Sequence, residues 1–191
     1  MDNLDQITKD ILSCQRCELR QTATRPVVGN GNVGAKYFLI GEAPGREEDK
    51  SGVPFVGSAG RRLDKLLELA NIDINDCYLS NVCRCRPPSN RTPRKKEIQA
   101  CVDFLWREIK LVQPAVIITL GSTPLSLFCP YGVTQVHGTI MDIDLDEAIR
   151  QTATIFGRTK KQKRQPTRNI KVARIERDYA SVLSELFGSS D

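Results

Sequence analysis

Cysteines are the residues with the clearest chemistry in this chain: Cys14, Cys17, Cys77, Cys83, Cys85, Cys101 and Cys129. Cys14 and Cys17, with two residues between them, present two thiolates from one turn of chain, a spacing that can chelate a metal ion or the edge of a cluster. Cys85 and Cys101 are 15 residues apart in the intervening sequence and flank a proline-rich stretch. Four thiolates meet the requirement of a [4Fe–4S] cluster and equally of an all-cysteine zinc site, and composition does not decide between them. Cys77, Cys83 and Cys129 sit in or beside apolar runs, where packing is the simpler role. Cys83 nevertheless rivals Cys85, because residues 83 and 85 share a face of an extended chain. An odd cysteine count, and a start (MDNLDQITKD) with two acids and no apolar core, argue against a disulfide framework and a secretory signal.

A second chemical signal is charge. The chain carries +5 overall, yet Arg150 to Arg177 holds ten Lys or Arg and one acid, Glu176, leaving the remainder at −4. A basic block on a slightly acidic body suits a polyanion, nucleic acid being the commonest; a solvated loop is the plainer alternative. Its densest part, RTKKQKRQPTR at 158–168, reads as an exposed flexible loop. No apolar run approaches the roughly 20 residues that span a bilayer. With 191 residues, 40% hydrophobic and 27% charged, the expectation is one domain over 1–191, a cytoplasmic monomer with no membrane contact.

The elements that must position these groups follow from periodicity. Leu4, Ile7, Ile11 and Leu12 share one side of a helix over 3–13. KYFLIG (36–41) reads as a buried strand entering a Gly-rich turn, GEAPG. SAGRRLDKLLELA (58–70) is a helix with Ser58 as its cap, and CYLSNV (77–82) a second strand. The three prolines of RCRPPSNRTP exclude regular structure there. A helix then runs from Thr92-Pro93 to about Val112. AVIITLG (115–121) is a third strand, ATIF (153–156) a short fourth, and 178–187 a closing amphipathic helix. Uninterrupted apolar strands alternating with helices predict a parallel sheet covered on both faces. Ligands of such folds sit beyond the carboxyl ends of the strands, where GEAPG and the Asn81 region fall.

These motifs together carry a resemblance. CQRCELR (14–20), GEAPGREEDKSGVPFVGSAGRRLD (41–64), SNVCRCRPPSNRTP (80–93), EIQAC (97–101) and PAVIITLG (114–121) resemble, in order, the family 4 uracil-DNA glycosylases, the iron–sulfur branch of their superfamily. The resemblance implies a three-layer α/β/α sandwich around a four-stranded parallel sheet. It implies a [4Fe–4S] cluster on Cys14, Cys17, Cys85 and Cys101, favouring Cys85 over Cys83 by its place in CRPP. It implies removal of uracil from DNA in base excision repair, with DNA containing deoxyuridine as partner. A base inside a duplex must be flipped out to react. Phe55 would then stack on the uracil, Asn81 would pair with its edge through an amide that both donates and accepts, and the backbone from Gly41 through Ala43 to Gly45 would lie against base and sugar. Glu42 and Glu48 occupy the positions of the carboxylates that steady positive charge on the sugar and orient water.

One departure stands out. The family's second motif, a His-Pro dipeptide after the last strand, is absent, and the one histidine, His137, lies in QVHGT. Losing such an electrophilic donor costs roughly 3–4 kcal/mol in the barrier. Arg158, Lys160, Lys161, Lys163, Arg164 and Arg168 stand in the corresponding stretch and are expected to hold DNA phosphates. Three readings follow: a working glycosylase, a glycosylase-fold DNA-binding protein that no longer cleaves or cleaves weakly, and a glycosylase for another damaged base.

Overall fold

The computed structural model describes residues 2–132, 134–136, 139–155 and 169–174. Helices α1 (Leu4–Leu12) and α2 (Leu19–Thr22) precede strand β1 (Tyr37–Gly41); α3 (Arg46–Ser51) and α4 (Ser58–Leu69) precede β2 (Cys77–Asn81). Helix α5 (Lys95–Val112), β3 (Val116–Thr119), α6 (Ser122–Leu125), β4 (Ile140–Asp144), α7 (Leu145–Ile155) and β5 (Asn169–Arg174) complete the α-helices and strands of the described residues. The sheet order is β2-β1-β3-β5-β4. β2, β1, β3 and β5 are parallel, and β4 runs antiparallel on the edge beside β5.

Every residue of β1 is buried, because the sheet is covered on both sides. Phe38 and Ile40 pack with Ile7 and Ile11 of α1 and Leu105 and Ile109 of α5. Tyr37 and Leu39, pointing the other way, pack with Leu63 and Leu67 of α4. The period of two along a strand thus sorts neighbouring residues into two layers. The same sorting acts on β2: Tyr78 stacks on Phe38 with ring centroids 4.9 Å apart on the α5 side, while Leu79 faces the α4 side. Asn3 caps α1 through Gln6 N–H at 2.8 Å, and Arg107 of α5 pairs with Asp2 at 2.8 Å and Asp10 at 2.7 Å, fastening α1 across α5.

The expected four parallel strands are present, with two changes. Ala153 to Ile155 end helix α7 instead of forming a strand. Residues 145–155 carry Leu145, Ala148 and Thr152 at helical spacing, and the short β-branched run at their end mimics a strand. The fourth parallel strand is Asn169–Arg174, and the antiparallel β4 was not foreseen because IMDID mixes acids into its apolar positions. Ser58, expected as a cap, is the first helical residue of α4, with Gly57 in the cap position. Phe156, His137, the basic run 158–168 and the segment 178–187 lie outside the described residues. Among the described residues no helix is long and apolar enough to cross a membrane.

Candidate functional site

Strands β1 and β2 end in register, Gly41 opposite Asn81. From there a pocket of about 570 Å³ opens, lined by Gly41, Glu42, Ala43, Glu48, Phe55 and Asn81 among others. All six are residues singled out in the sequence, brought to one place by the carboxyl ends of the sheet. Asn81 is buried and lies on the α4 side of the sheet, as does Leu79 two residues before it. The backbone of Gly41 leaves the room that its neighbours fill: a Cβ there would collide with Asn81 Oδ1 and come within 2.9 Å of Phe55 Cζ. The amide of Asn81 and the ring of Phe55 therefore converge over the glycine.

Phe55 holds this place with a left-handed backbone, φ 58°, which costs a non-glycine residue on the order of 1 kcal/mol. The conformation persists because the first turn of α4 fits directly under the turn: a Cβ at Gly60 would overlap the Phe55 carbonyl. Glu48 secures the same turn from the other side. Its Oε2 accepts the Gly45 N–H at 3.0 Å and its Oε1 accepts the Gly57 N–H at 2.7 Å, so both oxygens are committed to backbone and the side chain is buried. Glu42 is less enclosed; its Oε2 accepts a hydrogen bond from Thr123 Oγ1 of α6. Thr123 is a site residue that the sequence reading missed. The signal available was its place two residues after Gly121, the residue that ends the β3 run at this same edge.

Three guanidinium side chains also line the pocket, Arg46 of α3, Arg62 of α4 and Arg91. Arg91 forms a two-pronged pair with Glu97 of α5, at 2.6 and 2.8 Å, and Glu97 Oε2 also accepts the Arg94 N–H at 2.6 Å. The acid of EIQAC thereby ties the start of α5 to the pocket rim, and its arginine partner holds its carboxyl below the usual range.

On the far side of β2 the cysteines gather. Cys14 and Cys17 come from the α1–α2 connection, Cys83 and Cys85 from the chain after β2, and Cys101 from α5; all pack in the core on the α5 side. Backbone amides point at their sulfurs. The Arg84 N–H donates to Cys101 Sγ at 3.1 Å and the Arg16 N–H reaches Cys14 Sγ at 3.5 Å, and Cys17 receives the Leu19 and Arg20 amides. Burial pushes the Cys85 thiol up to about 12. Cys101, which the Cys83 thiol hydrogen-bonds and which the buried Arg84 cation faces, is held below the ordinary thiol value. This donor set suits a group bound by thiolates: amide N–H groups support sulfur that carries negative charge. Among the described residues, no three such side chains close on the single point that one ion would occupy.

The strand order corrects one expectation. The basic run does not follow the last parallel strand; it precedes β5. Val116 pairs with Lys171 and Thr119 with Arg174, so the chain enters β5 at the end of the sheet away from Gly41 and Asn81. The stretch that follows the last parallel strand begins after Arg174.

A family model described as the uracil DNA glycosylase superfamily matches residues 28–172. The chain is similar to a type-4 uracil-DNA glycosylase of Archaeoglobus fulgidus, 45% identical over 63% of this chain and 61% of that protein. It is similar to those of Thermotoga maritima, 42% identical over 73% and 74%, and Sulfurisphaera tokodaii, 43% identical over 63% and 56%. It thus spans about three fifths of the length of two of these relatives and about three quarters of the third.

Proposed function

The chain belongs to the uracil DNA glycosylase superfamily, and from that premise we propose that it hydrolyses the N-glycosidic bond of deoxyuridine in DNA, releasing uracil for base excision repair. The observation that carries this is the convergence of Asn81 and Phe55 on the bare backbone of Gly41, with the Glu42 carboxylate beside it. Uracil presents a carbonyl and a ring N–H on one edge, and the Asn81 amide answers with a donor and an acceptor. The Phe55 ring covers the face of the flipped base, and a side chain at Gly41 would fill its place. Cleavage develops positive charge on the sugar and negative charge on the departing base. Glu42 stabilises the first and orients the attacking water, with Thr123 fixing the carboxylate by its hydroxyl. Glu48, whose two oxygens hold backbone amides, is a positioning residue that keeps the GEAPG loop against the Phe55 turn. Arg46 and Arg62 supply cations for the phosphates flanking the flipped nucleotide.

Cys14, Cys17, Cys85 and Cys101 hold a [4Fe–4S] cluster in this reading. When bound, it supplies iron–sulfur bonds that join the α1–α2 connection, the chain after β2, and α5. The sulfur-directed amides support an anionic thiolate group, and the likeness of the cysteine motifs to the iron–sulfur branch of the family favours a cluster over one zinc ion. Brown protein containing iron and sulfide, retained in Cys83→Ser and lost in Cys85→Ser, is expected; colourless protein with stoichiometric zinc would replace the cluster by a zinc site.

The decisive experiment incubates the protein with single- and double-stranded oligonucleotides bearing one uracil, then alkali. Strand breaks at the uracil are expected, and none at thymine. The absence of a His-Pro dipeptide from the sequence favours a second reading, a relative that binds uracil-DNA without cleaving it; binding with no alkali-labile product is its signature.

A further inference from the structure

Arg84 is the largest fully buried side chain of the protein's described residues. A guanidinium without water needs a counter-charge and hydrogen bonds. It has both: Glu108 of α5, itself fully buried, accepts from Nη2 at 2.8 Å, and Ser80 Oγ accepts from Nη1. Ser80 in turn donates to Glu108 Oε2 at 2.7 Å. The other ends of Arg84 reach elsewhere. Its N–H donates to Cys101 Sγ, and its carbonyl accepts the Val27 N–H at 2.7 Å.

Position along the chain gives these contacts meaning. Ser80 immediately precedes Asn81, and Arg84 immediately precedes Cys85. Between them, the Val82 and Cys83 N–H groups donate to the carbonyls of Gly41 at 2.9 Å and Glu42 at 3.1 Å. One short, hydrogen-bonded stretch therefore runs from the pocket to the cysteines, and the side chain of Arg84 folds back over it to grip the residue next to Asn81.

Resting on the uracil and cluster readings above, we propose that Arg84 is a positioning residue that joins the cysteine cage to the uracil pocket, so that an occupied cage and a bound uracil stabilise one another. Displacing Cys101 moves the Arg84 amide, the guanidinium moves Ser80, and Asn81 leaves its place over Gly41. Linkage makes the effect reciprocal: if an occupied cage tightens uracil binding, bound uracil must tighten the cage by the same factor.

The test uses the loaded protein and measures chelator-driven bleaching of the cluster. It compares an excess of an oligonucleotide carrying a non-cleavable 2′-fluoroarabino-deoxyuridine with the thymidine counterpart. In the wild type, deoxyuridine should slow bleaching measurably relative to thymidine. Arg84→Met alone strands a buried Glu108 charge, so the pair is replaced together in Arg84→Met/Glu108→Leu, an exchange that buried pairs often tolerate. Ser80→Ala provides a milder cut that leaves the ion pair intact. Both variants should load cluster, melt cooperatively and lose the protection, the factor falling towards one. A role confined to stability would lower the melting temperature and leave the factor unchanged, which overturns the proposal. So does a wild type that binds the deoxyuridine oligonucleotide preferentially without protection. A wild type with no preference for deoxyuridine overturns the uracil reading itself, and the coupling with it.

Discussion

At the scale of single residues, Asn81 carries selection and Glu42 carries rate. Asn81→Ala leaves a bound uracil with unpaired polar atoms in an enclosed site, a loss of about 1–3 kcal/mol, or on the order of 10- to 100-fold in kcat/KM. Affinity for an undamaged oligonucleotide should stay unchanged, and a competition between uracil and thymine substrates measures both. The two acids of the pocket should separate. Glu42→Gln removes charge at the reacting sugar and should lower single-turnover rates by about 10²- to 10⁴-fold. Glu48→Gln keeps an oxygen for one amide and should cost more in melting temperature than in rate; a larger rate loss at Glu48 than at Glu42 would reverse the roles. The residue types of the pocket were legible in the sequence because they sit in one dense motif and at the end of a strand. The partners were not. Thr123 enters through α6, and Glu108 meets Arg84 across 24 positions, pairings that only the folded layers create.

At the scale of elements, two glycines separate pocket shape from folding. A methyl at Gly41 meets the ends of two side chains, whereas a methyl at Gly60 meets the Phe55 carbonyl, which is backbone. Gly41→Ala should therefore melt close to the wild type and fail to bind uracil. Gly60→Ala should lose about 1–3 kcal/mol or more of stability, by the usual cost of overpacking; denaturant unfolding of the two variants makes the comparison. The start of α5 responds to acid. The Arg91 guanidinium holds the Glu97 carboxyl below its usual 4.5, so the ion pair stabilises the fold fully above that pH and ceases to do so as pH falls through the depressed value. Unfolding free energy should drop between neutral pH and pH values below 4.5 more steeply in the wild type than in Glu97→Gln. Helices α1, α4 and α5 were readable from their period, and strands β1 to β3 from their uninterrupted apolar runs. The 153–155 run was not, because three β-branched or small residues look alike in a strand and in the last turn of a helix. Nor was β4, whose pairing with β5 spans residues 140 to 173.

At the scale of the whole molecule, charge is uneven, and the basic run 158–168 is the feature that sequence alone supplies. The proposed part of these residues is to hold DNA phosphates. Neutralising Lys160, Lys161, Lys163 and Arg164 together should flatten the slope of log K against log salt by about 0.9 for each duplex phosphate that the variant no longer neutralises, with cleavage at saturating DNA little changed. An unaltered slope would make the run a solvated loop. The sheet order has a different consequence, one of timing. Every residue that lines the pocket, and all four cage cysteines, precede residue 122, whereas the strand that pairs with the outer edge of β3 begins at Asn169. On a ribosome adding roughly 5–20 residues per second, β3 waits seconds with the donors and acceptors of its outer edge unpaired, while its inner edge has β1 to pair with. A nascent chain thus has its recognition groups early and its sheet closed late, and in that interval the bare edge of Val116–Thr119 is the surface on which neighbouring chains would associate.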